Sequence, residues 1–219
     1  MSTYYKATQL DGTDFRTGTI DYAAALNNET PVEIPVNDRS SDPRLCTKGV
    51  LHAATVPTET LVGGSWPCRL FEVTGEIVAT TDSGGVEHPH KRGFESITVV
   101  REIDAKLALG PNADAVLAVI ARAKNLTDQD VKDFADAERA AGDAAGDAAW
   151  HAARNAAWHA ARNAARDAAW HVARDAARNA ARAVLAALTR DLITPEQYQI
   201  LAGHWESVMG PIFDIKEEA

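Results

Sequence analysis

Apolar and polar residues follow two different rhythms along this chain. Up to about residue 111 the apolar positions come in short runs with β-branched or aromatic members and turn-forming boundaries: Gly49 to Val56, Cys68 to Thr74, Glu76 to Thr80 and Ser96 to Glu102. That pattern predicts strands. Asp11-Gly12, Gly63-Gly64 and Ser83-Gly84-Gly85 predict turns between them, because glycine accepts positive φ without steric cost. Asp21 to Leu26 predicts one short helix, and Asn27 to Pro43 an irregular connection rich in Pro, Asn and Asp.

Beyond residue 111 the rhythm becomes helical. Ala113, Val116, Leu117, Val119, Ile120 and Ala123 are spaced near 3.6 residues and follow the boundary pair Gly110-Pro111, which predicts a helix over 112–124. Thr127 offers an N-cap, with Asp128 and Asp130 in the first turn where carboxylates suit the helix dipole. No proline falls between Asp128 and Arg190, so a single helix of about 95 Å is expected at 1.5 Å rise per residue. Gly142 and Gly146 mark where it would bend or break. A last helix is predicted to start at Thr194-Pro195-Glu196, a cap followed by Pro at the first position, and to end before Gly210-Pro211.

Within the long helical stretch lies a run of four-residue units from Asp143 to Arg182. Their second and third positions are Ala, broken only by Val172; the first are Asp, His or Asn and the fourth Gly, Trp or Arg. Asp, His and Asn codons differ by one base, as do Gly, Trp and Arg codons, so a duplicated twelve-base unit accounts for the variation. Four residues advance about 400° on a helix, so equivalent positions drift about 40° per unit. Trp150, Trp158 and Trp170 therefore do not share one face. Alanine buries little area per residue, so this segment is expected to be held by close helix packing and by self-association, giving a homo-oligomer in the manner of a coiled coil.

Composition places a boundary between the two rhythms. Seven of the nine prolines precede residue 112, and alanine dominates afterwards. The expected class is therefore α+β: a small β-rich domain over 1–111 and an all-α region over 112–219 with one very long Ala-rich helix. Net charge is −9, which argues against a nucleic-acid-coating protein, although 143–190 holds seven Arg against four Asp. No apolar run of about 18 residues is present and the first residues lack an apolar signal core, so a soluble protein of the host cytoplasm, away from membranes, is expected. Cys46 and Cys68 are too few for a disulfide scaffold and are expected to be reduced.

Three motifs carry a resemblance. Tyr5-Lys6-Ala7-Thr8 with Asp11-Gly12-Thr13-Asp14-Phe15, Cys46-Thr47-Lys48-Gly49-Val50-Leu51-His52-Ala53-Ala54, and Arg69-Leu70-Phe71-Glu72-Val73-Thr74-Gly75-Glu76-Ile77 resemble an uncharacterised domain-of-unknown-function family of phage and prophage proteins. The resemblance covers roughly the first half of the chain. In its second motif Cys46, Gly49, His52 and Ala53 fit, while Ala54 stands where the family has a second Cys, which speaks against a shared Cys–Cys metal site. It implies a phage origin and no particular reaction.

Candidate chemistry is sparse. Arg162 and Arg166, with Arg174, Arg178 and Arg182, form like-charged ridges, and Trp158 and Trp170 lie nearby. Such a set could bind an anionic, stacking ligand such as a nucleotide, or simply keep an Ala-rich rod soluble and complement its dipole. His151, His159 and His171 lack the four-residue spacing of a metal pair on one helix. Glu87-His88-Pro89-His90 brings two imidazoles close in a turn without naming a third ligand. Cys46 and His52 offer a thiol and a base without an orienting third group. No cofactor or metal is expected, and no catalytic residue is assigned.

The expected function is that of a non-enzymatic phage accessory protein, an oligomerising interaction module that binds a host or phage protein. One alternative is a nucleotide- or small-molecule-binding counter-defence protein using Arg162, Arg166, Arg174, Arg178, Trp158 and Trp170. Another is an enzyme with a site around His52.

Overall fold

The β-branched runs of the first half pair into a single seven-stranded sheet in the computed structural model, which describes residues 2–127, 129–130, 132–134 and 174–213. The strands are β1 (Tyr4–Thr8), β2 (Val32–Glu33), β3 (Leu51–Ala54), β4 (Arg69–Thr74), β5 (Ile77–Ala79), β6 (Lys91–Phe94) and β7 (Ser96–Ile103). Their order is β2-β7-β4-β1-β3-β6-β5, with every neighbouring pair antiparallel. The chain divides into two units at Ala108/Leu109.

In the first unit, α1 (Tyr22–Asn28) is started by Asp21, whose side chain accepts from the Ala24 amide, the local capping that short polar side chains provide. Its Tyr22, Ala23 and Ala25 join Tyr4, Leu51, Phe71, Val73, Phe94 and Ile97 in the main core. Tyr4 and Phe94 meet edge to face with ring centroids 5.0 Å apart, a favoured aromatic geometry. A smaller cluster gathers Leu45, Val50 and Ala79. Gly12 (φ 94°) lies against α1, where a Cβ would collide with that of Ala23. The register of β4 on β7 shifts between Glu72 and Val73. β1 and β3 pair at Tyr5–Ala54 alone, so the ladder is not carried on to Lys6 or His52.

The second unit is helical. α2 (Ala113–Ala123), α3 (Arg174–Thr189) and α4 (Pro195–Met209) are its described α-helices longer than one turn, and α3 packs against both α2 and α4. α4 begins with a reciprocal cap: Gln197 N–H donates to Thr194 Oγ1 and the Thr194 amide donates to Gln197 Oε1. Trp205 is fully buried and stacks on Phe134 with centroids 5.7 Å apart.

The expectation of one very long helix is corrected. Among the described residues the longest α-helix is α3, at 16 residues. It stops at Thr189, whose hydroxyl donates to the Leu185 carbonyl, and a 3₁₀ turn over Arg190–Leu192 leads to the Thr194 cap. The physical reason lies in burial. Every residue from Asn179 to Ala187 is buried, so this end of the Ala repeat is enclosed on all sides. Alanine's short side chain lets neighbouring helices approach closely, and several short packed helices remove more surface from water than one exposed rod. Most of the tetrad repeat, including Gly142 and Gly146, lies outside the described residues.

Candidate functional site

A group of ionisable side chains gathers at the turn before β3. Cys46 adopts a left-handed conformation, φ 65°, which costs an L-residue about 1–2 kcal/mol. Its backbone N–H donates to His52 Nε2 at 2.8 Å, fixing the turn to the strand that follows. His52 must then carry its proton on Nδ1. Lys91, from β6, donates from Nζ to Cys46 Sγ at 3.1 Å. Arg16 reaches the same turn from the loop after β1, donating to the Thr47 carbonyl at 3.1 Å.

Lys6, on β1, lies on the sheet face of Tyr4 and Phe71, opposite that of His52 and Lys91. Its Nζ stands 5.1 Å from the centre of the Tyr22 ring, and among the described residues it has no hydrogen bond or ion pair. Burial pushes the Lys6 ammonium down to about 8, opposed by the Asp14 carboxylate and reinforced by Lys91. Burial likewise pushes His52 down to about 3, and the charges of Lys91, Lys6 and Arg16 add to the effect. His52 is therefore neutral at all ordinary pH.

One carboxylate belongs to this neighbourhood, and its lone pairs are already committed. Asp14 is buried and accepts from the amides of Arg16, Thr17, Thr19 and Ile20 and from the Thr17 hydroxyl. Burial alone would raise its pKa, but these hydrogen bonds outweigh it and hold the carboxyl at about 2. The nearby cations Arg44 and Lys48 are paired with Asp42 and Asp38 at 3.0 and 2.7 Å. Lys6, Arg16 and Lys91 have no carboxylate of their own among the described residues.

This arrangement can bind but is poorly set for thiol–imidazole catalysis. The imidazole lone pair that would take a proton from Cys46 Sγ is directed at the Cys46 amide instead, and a general base must reach the proton it removes. Cys68 is buried, which pushes its thiol up to about 12. The two imidazoles of the Glu87–His90 turn go separate ways. His88 Nε2 meets Asp82 Oδ2 at 3.1 Å and His90 Nδ1 meets Thr55 Oγ1 at 3.0 Å. Among the described residues no three His, Cys, Asp or Glu side chains come together to hold a metal ion, and no helix is long and apolar enough to cross a membrane.

Of the residues singled out in the sequence, His52 and Cys46 lie at this site. Arg174 and Arg178 lie on α3, in the other unit, and Arg178 is exposed there. Trp158, Arg162, Arg166 and Trp170 lie outside the described residues. Arg16 and Lys91 were not legible as neighbours of the Cys46–Thr47 turn, because they come from separate segments that only the tertiary fold brings to it. Comparison with protein-family models, with curated proteins and with solved structures returns no match.

Proposed function

We propose that this chain is a non-enzymatic binding protein, a phage accessory factor whose β unit recognises a partner through the Arg16, His52 and Lys91 cluster and whose helical unit supports self-association. The observation that carries this reading is the cluster's composition. Lys91 and Arg16 both reach the Cys46–Thr47 turn, whose amide already uses the acceptor nitrogen of His52, so the site offers charge and donors for recognition and lacks a free base. The phage origin rests on the motif resemblance around Tyr5–Phe15, Cys46–Ala54 and Arg69–Ile77. Self-association rests on the Ala-rich composition of the repeat.

Native mass spectrometry of the full chain after exposure to a host-cell lysate tests the recognition. A partner retained by the wild type and lost from Lys91→Glu is the expected result. Equal retention by both, or none by the wild type, overturns it. Light scattering at micromolar concentration tests the second part, which a monomeric mass overturns.

A further inference from the structure

We infer that Cys46 and Lys91 form an oxidative cross-link site, at which a hydroperoxide joins Cys46 Sγ to Lys91 Nζ as a reversible sulfenamide. The inference goes beyond the binding-protein reading and does not depend on it.

The fold brings the two atoms together by strand register. β3 and β6 pair Ala54 with Lys91 and His52 with Gly93, so His52 and Lys91 stand on one face of the sheet as diagonal neighbours. The turn before β3 is seated on that face at two points. Gly93 leaves open the place that a Cβ would fill, and Leu45 Cδ2 lies 3.2 Å from it. Leu45 is fully buried there, clustered with Val50 and Ala79. Cys46, the next residue, gives its amide to His52 Nε2 at 2.8 Å. Held by these anchors, Cys46 Sγ meets Lys91 Nζ at 3.1 Å, and Cys46 remains exposed to solvent.

The pair allows a narrow chemistry. The chain has two cysteines and Cys68 is buried, so a sulfenic acid at Cys46 has no exposed thiol of its own chain to resolve it. The nucleophile in contact with its sulfur is the Lys91 amine. In the first step the Cys46 thiolate attacks the peroxide: an S–O bond forms, the O–O bond breaks, and the departing oxygen takes up a proton and leaves as water. Lys91 then releases its ammonium proton to solvent and attacks Sγ. An N–S bond forms, the S–O bond breaks and a second water leaves, as in the closure of a sulfenic acid on a nitrogen. Sulfur gives up two electrons and the peroxide takes them; excess thiol returns the pair to thiol and amine.

Peptide mapping by mass spectrometry of the full chain, treated with hydrogen peroxide and then denatured and alkylated, tests the inference. A linked pair of peptides holding Cys46 and Lys91 is expected, on a chain lighter by two hydrogens, about 2 Da, and dithiothreitol should reverse it. Lys91→Arg keeps the charge and lacks the primary amine; it is expected to abolish the link and to let dimedone trap a sulfenic acid at Cys46. His52→Leu leaves both reacting atoms in place but frees the turn, so the yield of linked peptide should fall severalfold. Cys46 left unoxidised, a sulfinic acid or a disulfide between two copies as the main product, or the same loss of mass in Lys91→Arg through closure on a backbone amide, overturns the assignment. An undiminished link in His52→Leu overturns the role of the seated turn in bringing the two atoms together.

Discussion

The Cys46 amide donates to His52 Nε2 across six residues of chain, at 2.8 Å, and this bond holds Cys46 at φ 65°. A side chain is thereby used as a backbone acceptor. His52→Leu removes the acceptor and leaves the exposed Cys46 amide to water, at a cost of about 0.5–1.5 kcal/mol by urea denaturation near neutral pH. Because the folded pKa of His52 is about 3, below its unfolded value of about 6.5, the unfolded chain binds the extra proton first. The wild-type advantage is full above pH 6.5 and shrinks as pH falls towards 3. A penalty for His52→Leu that stays constant between pH 7 and pH 4 would contradict this.

Lys6→Met is expected to stabilise the β unit. The folded ammonium titrates at about 8 and the unfolded one at about 10.4, so the charged form is penalised in the fold below pH 8 and the penalty disappears as pH rises through 10.4. A gain of about 1–3 kcal/mol at pH 7 is expected, allowing for partial exposure of the chain's outer end. It should fade between pH 8 and pH 10.4. Thermal melts across that range are the measurement, and a lower Tm for Lys6→Met at pH 7 would sink the account.

Asp14→Ala should be among the most damaging changes near the site. It strands four backbone amides of the loop after β1, for an expected loss of about 2–4 kcal/mol. The carboxylate's contribution is present above its unfolded pKa and is lost as pH falls to about 2. Hydrogen exchange of residues 16–20 offers a direct check: their protection should collapse in Asp14→Ala and survive in Thr19→Ala.

Arg178 and Arg182 hold the same position in successive repeat units, yet Arg178 is exposed and Arg182 is 5% exposed. Equivalent letters therefore have unequal consequences. Arg182→Ala is expected to cost about 2 kcal/mol or more and Arg178→Ala less than about 0.5 kcal/mol. Comparable Tm values for the two variants would show that the repeat tolerates both positions alike.

Local signals in the sequence were strong where chemistry is local. Thr194-Pro195 with Gln197 marked the start of α4, Asp21 stood before α1, and Gly110-Pro111 preceded α2, because caps and proline act within one turn. β1 is led by Tyr4 and Tyr5 and β6 by Lys91 and Arg92, too short and polar to read as strands alone; they become strands by pairing with β4 and β3. The repeat misled in length rather than in its end. The stop expected near Arg190 falls at Thr189, whereas an unbroken helical pattern carries no record of the tertiary packing that decides how long a helix runs. Of the site, His52 and Cys46 were visible as residue types. Arg16 and Lys91 were not, since the pairing of β3 with β6 and the fold of the loop after β1 carry no trace in the linear spacing of charges.

The enclosure of Asn179 through Ala187 gives the duplicated segment a fixed end. Adding or deleting one unit of the repeat slides the helix by about 6 Å and turns it by about 40°, and the four-residue period then refills each enclosed place with the equivalent letter of the neighbouring unit. Replication slippage is thereby buffered at this end: alanine returns to the places of Ala180 and Ala181, and the letter that matters is the fourth, because the place of Arg182 is buried and other units would bring Trp or Gly to it.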